Sequence, residues 1–195
     1  MSIFVVRHAD RELGDFPSPE VPMSDQPISA VGRKRAERLL EFFKDIEIAT
    51  IRASKYVRTE QTIKPLAESK GLPVARDPRL NEINVGEAAK LSDEELRAGF
   101  PEFWKLYKER RQDFRFPRGE SGEEAAARVY EAFLELDPGA NHIMVAHDGI
   151  IRTLVCKVLG LPPHMRHLFR IDFCSITVFD RSAEFGCWTM TRMNG

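Results

Sequence analysis

Apolar residues along the chain follow two different periods, and the changes between them predict where strands and helices lie. Unbroken runs of mostly branched apolar residues, IFVV at 3–6 and IMVA at 143–146, are typical of strands buried on both faces of a sheet. Shorter apolar runs predict further strands at 48–53, 73–75, 176–179 and 188–190. Between the runs, apolar residues recur every three or four positions, which predicts helices beginning near Ser29, Arg58, Ser92, Ser121 and Gly149. This alternation predicts a three-layer α/β sandwich with a mostly parallel sheet flanked by helices.

The segment after Ser92 is predicted to be a single helix. Ser92 and Glu95 have the spacing of a capping box, which marks a helix start. The apolar positions that follow share one helix face: Leu96, Phe100, Phe103, Trp104 and Tyr107. One continuous helix is therefore expected from Ser92 past Tyr107.

Two of the predicted strands end at a histidine. His8 follows the first run and has Arg7 beside it, and His147 follows the run at 143–146. In open α/β sheets, ligands bind beyond the carboxyl ends of the strands, so both histidines are expected where chemistry is usually done. The proline-rich stretch 12–27 predicts a long loop over the same end of the sheet, where such loops often shape a site.

Composition limits the class of protein. A chain of 195 residues with 43% apolar and 30% charged residues predicts one soluble globular domain over 1–195. The formal net charge of -1 gives no general attraction to nucleic acid or to anionic membranes. Three widely spaced cysteines favour free thiols in a reducing compartment, and no apolar stretch is long enough to span a bilayer. We therefore expect a cytoplasmic protein that binds neither nucleic acid nor membrane.

The residue types at the strand ends favour phosphoryl transfer. A neutral imidazole is a nucleophile near pH 7, and a second imidazole with arginines nearby can hold the oxygens of a phosphoryl group. Arg58 is predicted at the start of a helix, where backbone N–H groups also favour anions. Glu82 lies in a predicted loop after the third strand, and a carboxyl there can supply the proton that a leaving alkoxide needs.

At these residues the chain resembles the histidine phosphatase superfamily, also called the phosphoglycerate mutase-like family. The resemblance spans nearly the whole chain and is carried, in order, by VVRHA, DQPISAVGRKRA, SKYVRTEQT, RLNEINVGE, RGESGEEAAARV and VAHDGIIRTLVCKVLGL. It implies that His8 becomes phosphorylated and that Glu82 is the proton donor. It also implies a phosphate pocket formed by Arg7, Arg58 and His147, with His147 protonated, and a mixed, mainly parallel sheet between helices.

The resemblance favours the phosphatase branch, because the mutase branch typically carries longer insertions. It implies a phosphomonoesterase that needs no metal and no cofactor and acts on a small soluble phosphorylated metabolite. A cofactor-dependent phosphoglycerate mutase and a phosphate-binding or scaffold protein that has lost turnover are the alternatives. The sequence also leaves open a homodimer, since the predicted strand at Trp188 could pair with a second copy.

Several positions depart from the family pattern. Ala9 stands where glycine is usual, Asp10 stands where glutamate or a similar residue is common, and ADRELGD offers no counterpart to the asparagine that often touches the phosphoryl group. Asp148 follows His147 where a small residue is common, and Phe173 occupies a place where asparagine is frequent. The substrate, the oligomeric state, and the roles of Asp10 and Asp148 do not follow from the sequence.

Overall fold

A computed structural model describes residues 1–182 and 184–195. Six strands form one sheet, in the spatial order β3-β2-β4-β1-β5-β6: β1 Ser2–Arg7, β2 Thr50–Ala53, β3 Val74–Arg76, β4 His142–Ala146, β5 Ile176–Arg181 and β6 Trp188–Arg192. The pairs β1–β4, β2–β4 and β2–β3 are parallel, and the pairs β1–β5 and β5–β6 are antiparallel. Only β5 therefore runs against the other described strands, and the predicted mixed, mainly parallel sheet is confirmed.

Helices cover both faces of this sheet. Their bounds are α1 Ala30–Phe43, α2 Val57–Lys70, α3 Asp93–Gly99, α4 Pro101–Glu109, α5 Gly122–Leu134 and α6 Asp148–Val158. One buried cluster joins β1 to α1 and α2 through Val6, Leu39 and Ile63. A second joins the opposite face of β1 to α5 and α6, with Val5 and Leu154 among its members. Alternate residues of β1 thus point into two cores, which makes the predicted three-layer α/β sandwich.

The prediction of one helix after Ser92 was wrong. The capping box of Ser92 and Glu95 is present, but α3 ends at Gly99 and a separate helix starts at Pro101. Proline has no N–H to donate and disfavours helical backbone in the residue before it, and Phe100 accordingly has ψ 60°. Phe103 and Tyr107 still share a face of α4, with ring centroids 5.6 Å apart.

The stretch 12–27 forms no helix or strand, as predicted. Its two ends are joined by the N–H of Glu12, which donates to the carbonyl oxygen of Pro27 at 2.9 Å. Asp25 fixes its far side by accepting a hydrogen bond from the N–H of Val57 at 2.8 Å. The loop is therefore attached to the start of α2.

No helix in the described ranges has the length and apolar character needed to cross a bilayer. That residues 1–195 form one domain stays a prediction.

Candidate active site

Neighbouring parallel strands place the two histidines side by side. His8 follows β1 and His147 follows β4, and Arg7 is opposite Ala146 in the register of these strands. The N–H of His8 extends the ladder by donating to the carbonyl oxygen of Ala146 at 3.0 Å. The ring centroids of the two histidines are 5.1 Å apart. The predicted convergence of two distant segments is therefore present in the structure.

The hydrogen bonding of His8 favours one tautomer. Its Nδ1 lies 2.8 Å from the carbonyl oxygen of Ala9, and because a carbonyl only accepts, Nδ1 carries the proton of the neutral ring. Burial lowers the pKa of His8 well below its usual value, and the nearby charge of Arg58 lowers it further. The ring is thus neutral at pH 7, with a free electron pair on Nε2.

His147 lies beneath the cavity, fully buried at the start of α6. Its Nε2 is 2.8 Å from the hydroxyl of Ser54, and its ring packs edge-on against Tyr56 with centroids 4.8 Å apart. Its Nδ1 has no hydrogen-bond partner within the described part of the chain. Burial lowers the pKa of His147 well below its usual value, and repulsion from His8 when that ring is protonated, and from Arg58, lowers it further, so this ring is also neutral near pH 7.

Arg58 lies in the first turn of α2, as the sequence predicts, and its side chain is buried. Its guanidinium carbon is 4.2 Å from the centroid of the Tyr56 ring, and Nη1 is 3.9 Å from a carboxylate oxygen of Asp25. Burial lowers the pKa of Arg58 to about 10, which leaves it protonated at pH 7. The site therefore holds a fixed positive charge in a partly dry environment.

Arg7 is held by the segment that precedes β5. Its Nη1 donates to the carbonyl oxygen of Ile171, and its guanidinium carbon lies 3.9 Å from the centroid of the Phe173 ring. A carboxylate oxygen of Asp148 is 3.7 Å away, and Asp148 also forms an ion pair with Arg152. Two of the unusual residues, Asp148 and Phe173, therefore act in this structure by contacting Arg7.

Glu82 reaches back to the start of α6. Its Oε1 accepts hydrogen bonds from the N–H groups of Ile83 and Ile150 at 2.9 and 3.0 Å, and its Oε2 accepts one from Gly149 at 3.1 Å. A Cβ on Gly149 would lie 2.7 Å from Oε1, so the carboxyl can approach this closely only at a glycine. Burial raises the pKa of Glu82 above its usual value despite the three hydrogen bonds. The carboxyl therefore retains its proton to a higher pH than an exposed glutamate does.

Arg128 of α5 anchors the loop that carries Glu82. Its guanidinium donates to the carbonyl oxygens of Arg79 and Glu82 at 2.6 and 3.2 Å. An ion pair with Glu120 at 2.6 Å holds Arg128 in turn. Arg128 could not be identified from the sequence, because its function depends on a contact between segments far apart in the chain.

An open cavity of about 610 Å³ unites these groups, and it is lined by Arg7, His8, Arg11, Asp15, Pro22, Met23, Ser24, Gln26, Arg58, Glu82, Ala89 and Lys90. Four of the five predicted site residues line it, and His147 lies against His8 below. The loop 12–27 forms one wall, which confirms the prediction that this loop shapes the site. Arg11 and Lys90 were missed, although a charged residue three positions after His8 was a readable signal.

Comparison with known proteins agrees with this geometry. A sequence model of the histidine phosphatase superfamily (branch 1) matches residues 3–194. The chain belongs to this superfamily. It is similar to the protein named "Probable phosphoglycerate mutase GpmB" of Yersinia enterocolitica, with 32% identity over 183 residues that cover 92% of this chain and 85% of the relative.

Solved structures of two proteins named as phosphatases share the fold. The alpha-ribazole phosphatase of Shigella flexneri superposes with a TM-score of 0.80 at 22% identity, covering 100% of this chain and 96% of the other. A mycobacterial glucosyl-3-phosphoglycerate phosphatase gives 0.79 at 24% identity, with 100% and 98% covered. Superfamily membership supports a phosphoryl-transfer enzyme, and the two solved structures show the shared fold.

Proposed function

We propose that this protein is a metal-independent phosphomonoesterase that hydrolyses a small soluble phosphorylated metabolite through a phosphohistidine at His8. One observation carries the proposal. The hydrogen bond from Nδ1 to Ala9 leaves the electron pair of Nε2 free, on a ring that lines the same cavity as Arg7, Arg58 and Glu82. A nucleophile, two fixed cations and a buried carboxyl are the groups that this chemistry requires.

In the first step, Nε2 of His8 attacks phosphorus and the P–O bond to the leaving group breaks. The carboxyl of Glu82 gives its proton to the departing oxygen, and its raised pKa keeps that proton available. Arg7 and Arg58 neutralise the non-bridging oxygens as charge redistributes. The phosphoryl dianion also favours protonation of His147, whose Nδ1 is the ring nitrogen left to donate.

In the second step, the Glu82 carboxylate accepts a proton from water as the water oxygen attacks the phosphohistidine. The N–P bond breaks, inorganic phosphate forms, and His8 recovers its electron pair. Glu82 ends the cycle protonated, so each turnover restores the starting state of both residues.

The decisive experiment is rapid quenching with ³²P-labelled aryl phosphate. Quenching into base should trap a phosphoenzyme in the unsubstituted protein, and its label should be lost on acid treatment, as expected for a phosphorylated imidazole. His8→Ala should show neither label nor turnover. His164→Ala, a partly buried histidine outside the cavity, is the matched control and should keep both. Substantial turnover or label in His8→Ala refutes the proposal.

A cofactor-dependent phosphoglycerate mutase is the second candidate, and the name of the Yersinia relative favours it. The two activities separate in one assay that follows phosphate release and 2-phosphoglycerate formation from 3-phosphoglycerate, with 2,3-bisphosphoglycerate as primer. Phosphate release without isomerisation supports the phosphatase.

A phosphate-binding protein without turnover is the third candidate. The presence together of Arg7, His8, Arg58, Glu82 and His147 argues against it, and aryl phosphate hydrolysis in the presence of a chelator is the direct test. The cytoplasmic location, the lack of nucleic-acid and membrane binding, and a homodimer stay predictions.

A further inference from the structure

A second cavity, of about 1010 Å³, lies on the other side of Arg7 from the phosphoryl pocket. Arginines from separate parts of the chain line it: Arg7 of β1, Arg35 and Arg38 of α1, Arg152 of α6, and Arg170. Arg7 is the residue that lines both cavities. None of the other four has a function in the mechanism above.

The side chains around this cavity carry an excess of positive charge. Arg35 pairs with Asp10 at 3.0 Å, Arg170 pairs with Asp172 at 2.9 Å, and Asp148 is shared between Arg7 and Arg152. Arg38 has no ion-pair partner in the described ranges. The arginines of this cavity thus outnumber the aspartates that pair with them, which leaves a net positive charge that an anion would balance.

The cavity also has an apolar side. Phe42 of α1 and Phe173 line it with partly exposed rings, whereas Leu39 and Ile171 of the lining are almost fully buried. Organic ligands usually bind in pockets that combine apolar walls with a few charged groups. The combination fits an organic anion better than a bare inorganic ion, because an inorganic ion leaves the two rings uncovered.

Arg7 and Phe173 connect this cavity to the reacting histidine. The Phe173 ring lines the cavity, stacks under the guanidinium of Arg7, and lies 5.5 Å from the His8 ring between centroids. An anion bound here would attract the same guanidinium that is available to a phosphoryl group. The two sites would therefore weaken each other.

We propose that the arginine-lined cavity binds a small organic anion with two or more negative charges and that this anion reduces phosphoryl binding through Arg7. The binding itself does not depend on turnover, so it can be tested whether or not the protein is a phosphatase.

Phthalate is a suitable probe because it joins two carboxylates to an apolar ring. Isothermal titration should show binding to the unsubstituted protein and a dissociation constant about tenfold higher for Arg38→Gln, which loses one charge-assisted contact. Lys34→Gln removes a charge from the exposed face of the same helix, outside the cavity, and should bind like the unsubstituted protein. Aryl phosphate turnover without phthalate should be unchanged in both variants.

Orthovanadate distinguishes the two cavities, since it mimics a phosphoryl group at phosphorus-transferring sites. Phthalate and vanadate should bind together, and each should weaken the other by the same factor. One-for-one displacement of phthalate by vanadate places phthalate in the phosphoryl pocket and overturns the proposal. No phthalate binding at millimolar concentration, or equal affinity in Arg38→Gln and the unsubstituted protein, overturns it as well. If phthalate binds but vanadate does not bind even in the absence of phthalate, the result counts against the proposed function and not against this proposal.

Discussion

Replacing Glu82 with glutamine tests the proposed proton donor with almost no change in shape. The carboxylate accepts three backbone hydrogen bonds, two at Oε1 and one at Oε2. A glutamine with its oxygen at the Oε1 position keeps the bonds from Ile83 and Ile150. Its NH₂ group then faces the N–H of Gly149, so one buried donor loses its acceptor. This should reduce the free energy of unfolding by about 1–3 kcal/mol.

The effect of Glu82→Gln on catalysis should depend on the leaving group. An alkoxide needs a proton as it departs, and loss of a general acid typically costs about 10²–10⁴ in rate, or about 3–5 kcal/mol in the barrier. The p-nitrophenolate ion is stable without a proton, so its release should slow much less. Proton donation is therefore measured by the ratio of the rate loss for the alkyl phosphate to the rate loss for p-nitrophenyl phosphate, rather than by either loss alone.

The assay compares kcat/KM for an alkyl phosphate and for p-nitrophenyl phosphate, while urea denaturation measures stability separately. Glu87→Gln is the matched control, since Glu87 lies a few residues along the same connection, pairs with Arg118 at 3.0 Å, and does not line the cavity. Equal losses for both substrates in Glu82→Gln would show that the substitution only distorts the site, and the assignment of Glu82 as the acid would then be wrong.

Three further predictions follow from the same geometry. Gly149→Ala should lower kcat for alkyl phosphates by more than tenfold, since its Cβ would lie 2.7 Å from Oε1 of Glu82; unchanged kcat in steady-state assays contradicts this. A lysine at position 128 cannot donate to two carbonyl oxygens and Glu120 in the same planar arrangement. In Arg128→Lys, kcat/KM for alkyl phosphates should therefore fall while kcat/KM for p-nitrophenyl phosphate changes little, and an equal fall would indicate general unfolding. The pH profile of kcat/KM for an alkyl phosphate should rise as His8 loses its proton well below pH 6.5 and fall as Glu82 ionises above its usual pKa, and this alkaline fall should be absent in Glu82→Gln and much weaker with p-nitrophenyl phosphate.

The placement of the two histidines could be predicted because it follows from local pattern and sheet geometry. Each histidine ends an apolar run, and parallel strands end at the same edge of a sheet. Their adjacency needed one more fact, that β1 and β4 are neighbours although more than a hundred residues separate them. The family resemblance implied that these residues share one pocket, and apolar periodicity alone does not.

Residues that act through contacts between distant segments could not be predicted from the sequence pattern. Arg128 occupies a position typical of an exposed helix residue, and only the structure shows that it donates a hydrogen bond to the Glu82 loop. In the sequence, Asp148 is an extra carboxylate beside an anion site. In the structure it forms ion pairs with Arg7 and Arg152. The break at Phe100 was readable from Pro101, but the apolar spacing on both sides of the proline favoured one helix.

The start of α6 holds the acid and also carries the imidazole that packs against the nucleophile. Residues 147–150 supply the His147 imidazole and also two of the three N–H groups that hold Glu82. The same strand and helix fix both groups, so the relation between them does not depend on the loop 12–27. Because that loop contributes cavity wall and contacts Arg58, changes in it can alter which substrate fits while the acid, the second imidazole and His8 keep their arrangement. The fold thereby separates the residues that would select a substrate from those that would transfer its phosphoryl group.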